Sequence, residues 1–441
     1  MPLSRVTCVF GTRPDAVKMA PVVKALQQRP ERFRVQVVVT GQHREQLDQV
    51  LRVFAIQPDH DLAIMQHGQT LTDITTRSLA GLDVWFRDNP ADVCLAQGDT
   101  TTTFAAGLAA FYQKIAFGHV EAGLRTGAIY DPFPEEMNRR LASELASWHF
   151  APTDWARGNL LAEGIRANRV YVTGNTSIDA LRSVAAAPYT FDDPEIERVL
   201  ASGRRLILVT AHRRENWGRP MAQIAAALAT IAHDFNDCEI VVALHRNPVV
   251  RDTLVGVLQG MPRVHLIEPP DYVPFVKLMQ RATLILTDSG GVQEEAPTFG
   301  VPILVLRETT ERPEGIEAGT ALLIGAETGR IVESASRLLR DAAFHAKMAR
   351  AVNPYGDGNA AGLIADILAE TAPAQASDPP KIGGQGGTSA ESANQGGDAR
   401  TAQGGALQGG EPSAVQGAGS PGIGGQRGAL QGRARQGGGA Q

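Results

Sequence analysis

The chain has 441 residues with 43% hydrophobic content, too long for one compact α/β domain and sufficient for two cores. A net charge of −5 argues against a nucleic-acid-binding protein whose affinity comes from a basic face. No apolar run reaches the roughly 20 residues that span a bilayer, and residues 1–10 lack the apolar segment of a signal peptide. We therefore predict a soluble, cytoplasmic protein with no membrane insertion and no nucleic-acid partner.

The three cysteines, Cys8, Cys94 and Cys238, lie in or beside apolar runs of strand length. Their spacing fits no metal-binding motif, and the histidines and acidic residues are spread too widely for one. The cysteines therefore predict buried, reduced thiols and no metal site.

The first part of the chain alternates short apolar runs with amphipathic stretches. We predict strands at residues 5–10, 34–40, 93–97, 115–119 and 170–172. We predict helices at residues 15–28, 45–54, 71–85, 101–112 and 135–146. Strands that alternate with helices are typical of a parallel, doubly wound sheet.

The pattern lapses around residues 180–202 and then resumes with a second series of strands and intervening helices. These strands are predicted at residues 205–210, 239–243, 264–267, 284–287, 303–306 and 321–324. A last helix is predicted at 359–370, able to pack on either series. The remainder has no aromatic residue and cycles through Gly, Gln, Ala and Ser, so it cannot bury enough apolar surface to offset its ordering entropy.

The fold class is therefore α/β, with two Rossmann-like domains that face a cleft. The predicted boundaries are an N-terminal domain at 1–175, a C-terminal domain at 176–358, a closing helix at 359–371 and a disordered tail at 372–441.

Polar residues cluster directly after the predicted strands. In the first series the clusters are Gly11–Arg13, Gln42–Arg44, Gly98–Asp99 and His119–Arg125, and in the second they include His212–Asn216 and His245–Asn247. Ligands of open α/β sheets bind beyond the carboxyl ends of the strands. We therefore predict one large site in the cleft, formed by both domains.

The stretch 284–299 has the pattern of a strand, a tight turn and the start of a helix. Its turn, Ser289-Gly290-Gly291, has no Cβ on two residues and precedes free helical N–H groups, a combination suited to phosphate. Glu295, one turn into the helix, is placed to accept two hydroxyls of a ribose. The alternative is that Ser289 only caps the helix and the glycines only form the turn.

Three cations accompany this turn. Arg13 and Lys18 are about one helical turn apart after the first strand, and Arg312 follows the strand at 303–306. They could clamp a diphosphate from opposite domains, or could be solvated cations. No GxGxxG follows a predicted strand and GxxxxGK does not occur, so a nucleoside diphosphate fits better than a nicotinamide cofactor or ATP.

Several carboxylates and two histidines also fall at the predicted cleft. Asp99 is placed as a helix cap and Glu135 and Glu136 occupy a first helical turn, where a carboxylate favours the helix dipole in any case. Glu121 follows a strand with no helix to cap. With His119 and His212, these acids are suitable for general acid/base catalysis.

Eight separated segments between about residues 4 and 370 closely resemble the non-hydrolysing UDP-N-acetylglucosamine 2-epimerases. They are GTRPDAVKMAPVV at 11–23, TGQHREQLDQVL at 40–51, QGDTTTTFAAGLAAFY at 97–112, HVEAGLRTG at 119–127, PFPEEMNRRL at 132–141, GNTSIDAL at 174–181, TAHRRENWG at 210–218 and TDSGGVQEEAPTFGVPILVLRETTERPEG at 287–315. The C-terminal tail lies outside the resemblance.

The resemblance implies a fold like that of the GT-B glycosyltransferases and a reaction without NAD or metal. This family interconverts UDP-N-acetylglucosamine and UDP-N-acetylmannosamine, by a proposed anti elimination of UDP to 2-acetamidoglucal and re-addition on the other face. Such chemistry needs a diphosphate clamp and a carboxylate base.

The resemblance also implies roles for individual residues. The UDP-binding set would be Arg13, Lys18, His212, Phe275 against uracil, Ser289, Gly290, Gly291, Glu295 and Arg312. The acid/base carboxylates would be Asp99, Glu121 and Glu135, supported by Arg139 and His212. Which carboxylate removes the proton stays open.

Bacterial members of the family can bind a second substrate molecule as an activator, and the family tends to form homodimers. The residues that match the activator site are Gln42, His43, Glu136, Arg213 and His245. Two positions depart from the pattern: Gly68 stands where some members have an arginine associated with this control, and Pro270 stands where some have a glutamine near the nucleotide.

Alternative functions within the same fold are an epimerase of a modified sugar such as a UDP-diacetamido-uronic acid, a hydrolysing epimerase, and a GT-B glycosyltransferase. The first would need an extra cation for the sugar carboxylate. The second lacks its usual kinase-like domain here, and no acceptor groove is evident for the third. A catalytically silent UDP-sugar-binding protein would not need every candidate carboxylate.

Overall fold

A computed structural model describes residues 3–41 and 44–372 of the protein. The chain divides into a compact unit, Met1–Pro379, and a second unit, Pro380–Gln441. The predicted tail from residue 373 onward and the predicted activator residues Gln42 and His43 lie outside the described residues.

The first part of the described chain forms a parallel sheet of seven strands. The strands are β1 (Ser4–Phe10), β2 (Phe33–Val39), β3 (His60–Asp61), β4 (Val93–Gln97), β5 (Ala116–Val120), β6 (Trp148–Ala151) and β7 (Val170–Val172). Their order across the sheet is β3-β2-β1-β4-β5-β6-β7. Strands β1, β4 and β6 are almost wholly buried, as expected for a sheet covered by helices on both faces.

Helices connect these strands, and local sequence explains where several begin. They are α1 (Arg13–Gln27), α2 (Arg44–Val53), α3 (Leu71–Asp88), α4 (Thr101–Tyr112), α5 (Glu135–Leu145) and α6 (Asp154–Ala162). The side chains of Thr70, Thr100 and Thr153 accept hydrogen bonds from the first turns of α3, α4 and α6. Strands β1–β7 with these helices are called the N-terminal half below.

A second parallel sheet repeats the pattern in the described residues after 204. Its six strands are β8 (Arg205–Thr210), β9 (Cys238–Ala243), β10 (Val264–Ile267), β11 (Ala282–Thr287), β12 (Ile303–Val305) and β13 (Ala321–Leu323). Their order is β10-β9-β8-β11-β12-β13. This is the strand order of a Rossmann fold.

The remaining helices surround this sheet or join the halves. They are α7 (Thr176–Ala186), α8 (Pro194–Ala201), α9 (Arg219–Asp234), α10 (Pro248–Leu258), α11 (Tyr272–Arg281), α12 (Gly290–Glu295), α13 (Pro313–Glu317), α14 (Thr328–Arg340), α15 (Ala342–Ala349) and α16 (Ala360–Thr371). Strands β8–β13 with α8–α15 are called the C-terminal half below, and α7 begins at the joint between the halves.

Strand order reverses at two places, between β1 and β4 and between β8 and β11. At such switch points the connecting helices leave on opposite faces, so a crevice opens at the carboxyl ends of the strands. Gly11–Arg13 and Asp99 follow β1 and β4, while His212 and Ser289 follow β8 and β11. The topology therefore puts predicted site residues from both halves at crevices.

Helix α16 returns from the C-terminal half to the N-terminal half. Its buried residue Leu368 belongs to the same apolar core as Val22 of α1 and Leu181 of α7. Asp179 of α7 accepts hydrogen bonds from the N–H groups of Ala360 and Ala361, at 3.2 and 2.9 Å. The closing helix thus fastens α7 to α1.

The sequence prediction of the fold class is confirmed, and the predicted strands and helices occur with small shifts of their ends. Strands β3 and β6 were not predicted. Strand β6 is a fully buried run of four residues directly after α5, too short to separate from that helix by periodicity. Within the described ranges, no helix combines the length and apolarity needed to cross a membrane.

We predict that Leu368→Ala lowers the free energy of unfolding by about 3 kcal/mol, because it leaves a cavity between α16, α1 and α7. Leu363 on the same helix is exposed, so Leu363→Ala should change stability by less than about 0.5 kcal/mol. Urea unfolding of the full chain followed by circular dichroism measures both. Equal effects of the two substitutions would show that α16 is not part of the core.

Candidate active site

Glu121 lies at the centre of the polar cluster in the N-terminal half. Oε1 of Glu121 is 2.5 Å from Nζ of Lys18 and accepts a hydrogen bond of 3.2 Å from Nδ2 of Asn175. Its other oxygen accepts a hydrogen bond from Nε2 of Gln97, at the end of β4. The backbone of Glu121 has φ of 63°, a left-handed conformation that non-glycine residues rarely adopt and that often occurs at functional sites.

These contacts determine the charge state of the pair. Burial by itself would raise the pKa of Glu121, but the nearby cations Lys18, Arg312 and Arg139 hold this pKa below its ordinary value. Burial would lower the pKa of Lys18, and its pKa is instead raised, by Glu121 and Glu294. Both groups are therefore ionised around neutral pH.

Asp99 and Arg139 form a second ion pair beside Glu121. Nη2 of Arg139 is 2.6 Å from Oδ2 of Asp99, and Nη1 is 3.0 Å from Glu136. Because Arg139 also acts on the pKa of Glu121, the structure brings Asp99, Arg139 and Glu121 together. About a quarter of the Asp99 side chain (27%) is exposed, so this carboxylate is open to a ligand.

Glu135 is the first residue of α5 and lies one helical turn from Arg139. It is half-buried, and its carboxylate makes neither a hydrogen bond nor an ion pair with any residue that the structure describes. Of the three predicted acid/base carboxylates, Glu135 is thus the one without a partner in the described part of the chain.

Two buried groups support this edge of the sheet. Nε2 of His119 is 2.7 Å from the carbonyl oxygen of Gly98, and burial lowers the pKa of His119 to about 4, so the ring is neutral at pH 7. Asp15 accepts hydrogen bonds from the N–H groups of Gly11 and Thr12, at 3.3 and 3.2 Å, and closes the turn before α1. Burial raises the pKa of Asp15 to about 6.

In the C-terminal half, the Ser289-Gly290-Gly291 turn leads from β11 into α12 as predicted. The side chain of Ser289 makes no capping hydrogen bond to the described part of α12, so the simple cap alternative lacks its contact. A Cβ on Gly290 would lie 3.1 Å from Cζ of Arg312. The glycine thus lets the guanidinium lie directly against the turn.

Arg312 is held by Glu294. Nε of Arg312 is 2.8 Å from Oε1 of Glu294, whose other oxygen accepts a 2.9 Å hydrogen bond from Nδ2 of Asn175. Burial would lower the pKa of Arg312, but Glu294, Glu311 and Glu121 raise it above its ordinary value. Arg312 is therefore a permanent cation that shares its surroundings with Lys18 of the other half.

Glu295 lies at the end of α12, half-buried beside Glu294. Burial and the Glu294 carboxylate raise the pKa of Glu295 to about 8, against the opposing charges of Lys18 and Arg13. Arg13 is the first residue of α1, in the other half, and its charge acts to lower the pKa of Glu295. Phe275, predicted to contact uracil, is half-buried on α11.

His212 follows β8 and is tied to Asp288, which is fully buried after β11. Asp288 accepts hydrogen bonds from the N–H groups of His212 and Arg213, each with a shortest distance of 2.9 Å, and from Nδ2 of Asn216 at 2.9 Å. Burial lowers the pKa of His212, which is only partly offset by Asp288. The half-exposed ring is therefore a neutral hydrogen-bonding group at pH 7.

The predicted activator residues that can be described divide into two places. His245 is exposed and stacks on His212, with ring centroids 5.5 Å apart, and Arg213 lies 3.7 Å from Glu311. Glu136 is buried and accepts hydrogen bonds from Arg139 and from the N–H of Thr126, at 3.0 and 3.1 Å. Its oxygens are occupied, so Glu136 acts structurally in this state.

A cleft of about 630 Å³ lies between the halves. Of the predicted site residues that the structure describes, Arg213 lines this cleft, whereas Glu121, Lys18 and Arg312 do not. Arg125, Pro132 and Trp155 line it from the N-terminal half, and Arg307 lines it from the C-terminal half. The described residues contain no group of three His, Cys, Asp or Glu side chains that could hold a metal ion.

Sequence reasoning missed four polar residues at the heart of the site: Gln97, Asn175, Asp288 and Glu294. Each is at least nine-tenths buried. Buried polar groups require partners, but a single sequence does not show that a polar residue is buried. The available signal was position, because each lies within or at the edge of a segment that carries the family resemblance.

The comparisons with known proteins agree with one another. A family model described as UDP-N-acetylglucosamine 2-epimerase matches residues 24–369. The UDP-N-acetylglucosamine 2-epimerase of Escherichia coli (strain K12) is 52% identical to the chain over 377 residues, covering 82% of this chain and 98% of that protein.

Two solved structures are similar as well. The UDP-GlcNAc 2-epimerase of Neisseria meningitidis, bound to UDP-GlcNAc, is 48% identical with a TM-score of 0.74 and covers 83% of this chain and 100% of its own. The enzyme of Methanocaldococcus jannaschii, in complex with UDP-GlcNAc and UDP, is 31% identical with a TM-score of 0.67 and covers 83% and 99%. These similarities confirm the predicted GT-B-like pair of Rossmann-like domains.

We predict that Glu121→Gln lowers the free energy of unfolding by about 3 kcal/mol at pH 7, because Lys18 then remains a buried cation without its counter-ion. The folded-state pKa of Glu121 is below its ordinary 4.5, so the stabilisation is complete above that value and is lost as pH falls through the lowered pKa. Urea unfolding at several pH values should show the two proteins converging in acid.

The matched control is Glu308→Gln, since the Glu308 side chain is 77% exposed and lies 3.9 Å from Arg330. Its effect should be below about 0.5 kcal/mol. A Glu121→Gln protein as stable as the parent at pH 7 would mean that the ion pair is not formed in solution.

Proposed function

The chain belongs to the UDP-N-acetylglucosamine 2-epimerase family, and we propose that it interconverts UDP-N-acetylglucosamine and UDP-N-acetylmannosamine without NAD or metal. The observation that carries the proposal is the placement of two cations from opposite halves. Lys18 and Arg312 both act on Glu121, at the crevices where α/β sheets bind ligands. Two cations beside a glycine turn suit the diphosphate of a UDP-sugar.

The proposed reaction begins with loss of UDP. A carboxylate takes the proton from sugar carbon 2 while the bond between carbon 1 and the diphosphate oxygen breaks, and its electron pair leaves with UDP. The resulting double bond joins carbons 1 and 2 in 2-acetamidoglucal. Return of a proton to the other face of carbon 2, with re-addition of UDP at carbon 1, gives the epimer.

The activation barrier for elimination depends on how well the negative charge that develops on the diphosphate is stabilised. The proton at carbon 2 is a weak acid, so the bond to UDP must break while negative charge on the diphosphate is stabilised. Lys18 and Arg312 are largely buried cations held by Glu121 and Glu294, and in such a poorly hydrated place this stabilisation is worth more than in water.

The carboxylates differ in their availability as bases. Glu121 is engaged with Lys18 and two amides, whereas Asp99 is partly exposed and Glu135 has no partner within residues 3–41 and 44–372. We therefore propose that Asp99 and Glu135 exchange protons with the sugar, and that Glu121 holds Lys18 in place and supplies negative charge near the reacting carbons.

The test is proton NMR of the purified protein with UDP-N-acetylglucosamine in heavy water, without cofactor and with a chelator present. We expect signals of UDP-N-acetylmannosamine and replacement of the carbon-2 proton by deuterium. A sugar that stays unexchanged and unepimerised, with substrate in excess, would contradict the proposal. Modified UDP-sugars would then be tested before transferase acceptors.

Glu295 provides a pH test of the nucleotide site. We propose that its carboxylate accepts the two ribose hydroxyls, which requires ionisation of a group whose pKa is raised to about 8. Affinity for UDP-N-acetylglucosamine should therefore rise between about pH 6.5 and about pH 8.5, by up to about tenfold per pH unit.

Isothermal titration calorimetry measures this dependence, and Glu295→Gln should abolish it. Both phosphates of the UDP-sugar are esterified, so the ligand does not titrate in this range. An affinity of the parent protein that is independent of pH would contradict the proposed role of Glu295.

We also propose activation by the substrate and assembly into a homodimer. The substrate could also act as an activator at a site that includes Arg213 and His245, which lie next to His212. We propose a homodimer, supported by exposed apolar residues at adjacent ends of α3 and α4, where Val84, Phe111 and Tyr112 lie near the Gln113–Asp83 hydrogen bond.

We also propose that the protein is cytoplasmic and that its two domains divide at residues 175/176. The three cysteines are free and buried, which suits the reducing cytoplasm. The two sheets, at residues 4–172 and 205–323, support domains divided at 175/176 with a closing helix at 359–371.

A further inference from the structure

One buried amide connects the charged groups of the two halves. Both hydrogen bonds of Asn175 Nδ2 go to carboxylates, 3.2 Å to Oε1 of Glu121 and 2.9 Å to Oε2 of Glu294. Glu121 pairs with Lys18, and Glu294 pairs with Arg312. The result is a continuous chain in the order Lys18, Glu121, Asn175, Glu294, Arg312.

The polar groups of this arrangement need internal hydrogen-bond partners because they are buried. Asn175, Glu121 and Glu294 are 2%, 7% and 2% exposed, so water cannot replace a lost partner. Two carboxylates on either side of one group repel each other, and a donor between them offsets this repulsion. An amide NH₂ has two donors and no charge, so it can satisfy one oxygen of each carboxylate.

The backbone of Asn175 is also fixed at the joint between the halves. Its N–H donates to the carbonyl oxygen of Tyr355 at 2.7 Å, and its Oδ1 accepts from the N–H of Ser177 at 3.0 Å, capping α7. Gly174 before it has φ of 90°, and a Cβ there would be 3.3 Å from the Tyr355 oxygen. The amide is therefore held by the main chain, independently of either carboxylate.

We propose that Asn175 is a positioning residue, which fixes Glu121 and Glu294 relative to each other so that Lys18 and Arg312 meet one ligand from opposite halves. This role rests on the proposed function. Asn175 touches no reacting atom, and it acts through the two carboxylates. Lys18 and Arg312 are the members whose charge suits a diphosphate, Glu121 and Glu294 hold these cations, and the amide is the neutral link between the two carboxylates.

Two substitutions separate this role from helix capping. Asn175→Ser and Asn175→Asp both retain a side-chain oxygen able to cap α7, but neither retains the two N–H donors. We expect Asn175→Ser to lower kcat about 100-fold, the size of effect that small misplacement of catalytic groups produces. We expect it to weaken UDP binding about tenfold, measured by calorimetry.

The pH dependence of activity in Asn175→Asp provides a second test, because a residue that only capped α7 would not change it. At about pH 8 three carboxylates meet in a buried place, and activity should be no higher than in Asn175→Ser. As pH falls towards about 6, a shared proton restores a donor, so the activity relative to the parent protein should rise. The relative activity of Asn175→Ser should stay constant. Asp193→Ala, which removes the exposed cap of helix α8, should leave kcat and UDP affinity unchanged.

The outcomes separate the inference from the proposed function. If the parent protein binds UDP but does not epimerise its sugar, the proposed function fails, while lost UDP affinity in Asn175→Ser still supports the link. If the parent protein epimerises and a folded Asn175→Ser keeps its kcat and UDP affinity, the inference is wrong and the function stands. If Asn175→Ser does not fold, a pH-independent activity ratio for Asn175→Asp overturns the inference.

Discussion

The site depends on the cost of keeping ionised groups away from water. Lys18 and Glu121 form an ion pair whose side chains are 19% and 5% exposed, and the pair of Arg312 with Glu294 is buried to a similar degree. Each ion alone would be strongly unfavourable in such a place, so each exists there only because its partner does. The amides of Gln97 and Asn175 then satisfy the carboxylate oxygens that the cations leave open.

This arrangement needs groups that arrive from distant parts of the chain. Lys18 comes from α1, Glu121 from the end of β5, and Arg312 from the loop after β12. Parallel sheets bring such residues together because the carboxyl ends of their strands share one edge. The left-handed backbone of Glu121 turns its side chain into the cluster at a local cost that the surrounding contacts must offset. A diphosphate bound between the cations would replace part of the internal neutralisation that the carboxylates now provide.

Both sheets and the location of the site could be predicted from the sequence. Alternation of apolar runs with amphipathic helices predicts both sheets, and polar residues after strand ends predict the edge where they meet. The residues that could not be predicted are those whose role comes from burial. Asn175 is an ordinary helix cap in sequence, and its contact with Glu121 and Glu294 arises only when two halves of the chain pack together. Glu294 is likewise one of two consecutive glutamates, and nothing local distinguishes the one that holds Arg312 from Glu295.

Burial and ion pairing also distinguish the three predicted acid/base carboxylates. All three are carboxylates in or next to a predicted strand end or helix start. In the structure Asp99 is partly exposed and paired with Arg139, and Glu121 is buried and paired with Lys18. Glu135 has no partner among the described residues. Their environments support the proposed division between proton transfer and electrostatic support, which composition and spacing could not indicate.

The central claim is that paired cations drive departure of UDP from the sugar. The most direct measurement mixes enzyme in excess with UDP-N-acetylglucosamine, quenches the mixture at intervals and quantifies every nucleotide and sugar by mass spectrometry. The account predicts that UDP and 2-acetamidoglucal appear in equal amounts before equilibrium is reached. Formation of UDP-N-acetylmannosamine with neither species above the level found without enzyme would contradict it.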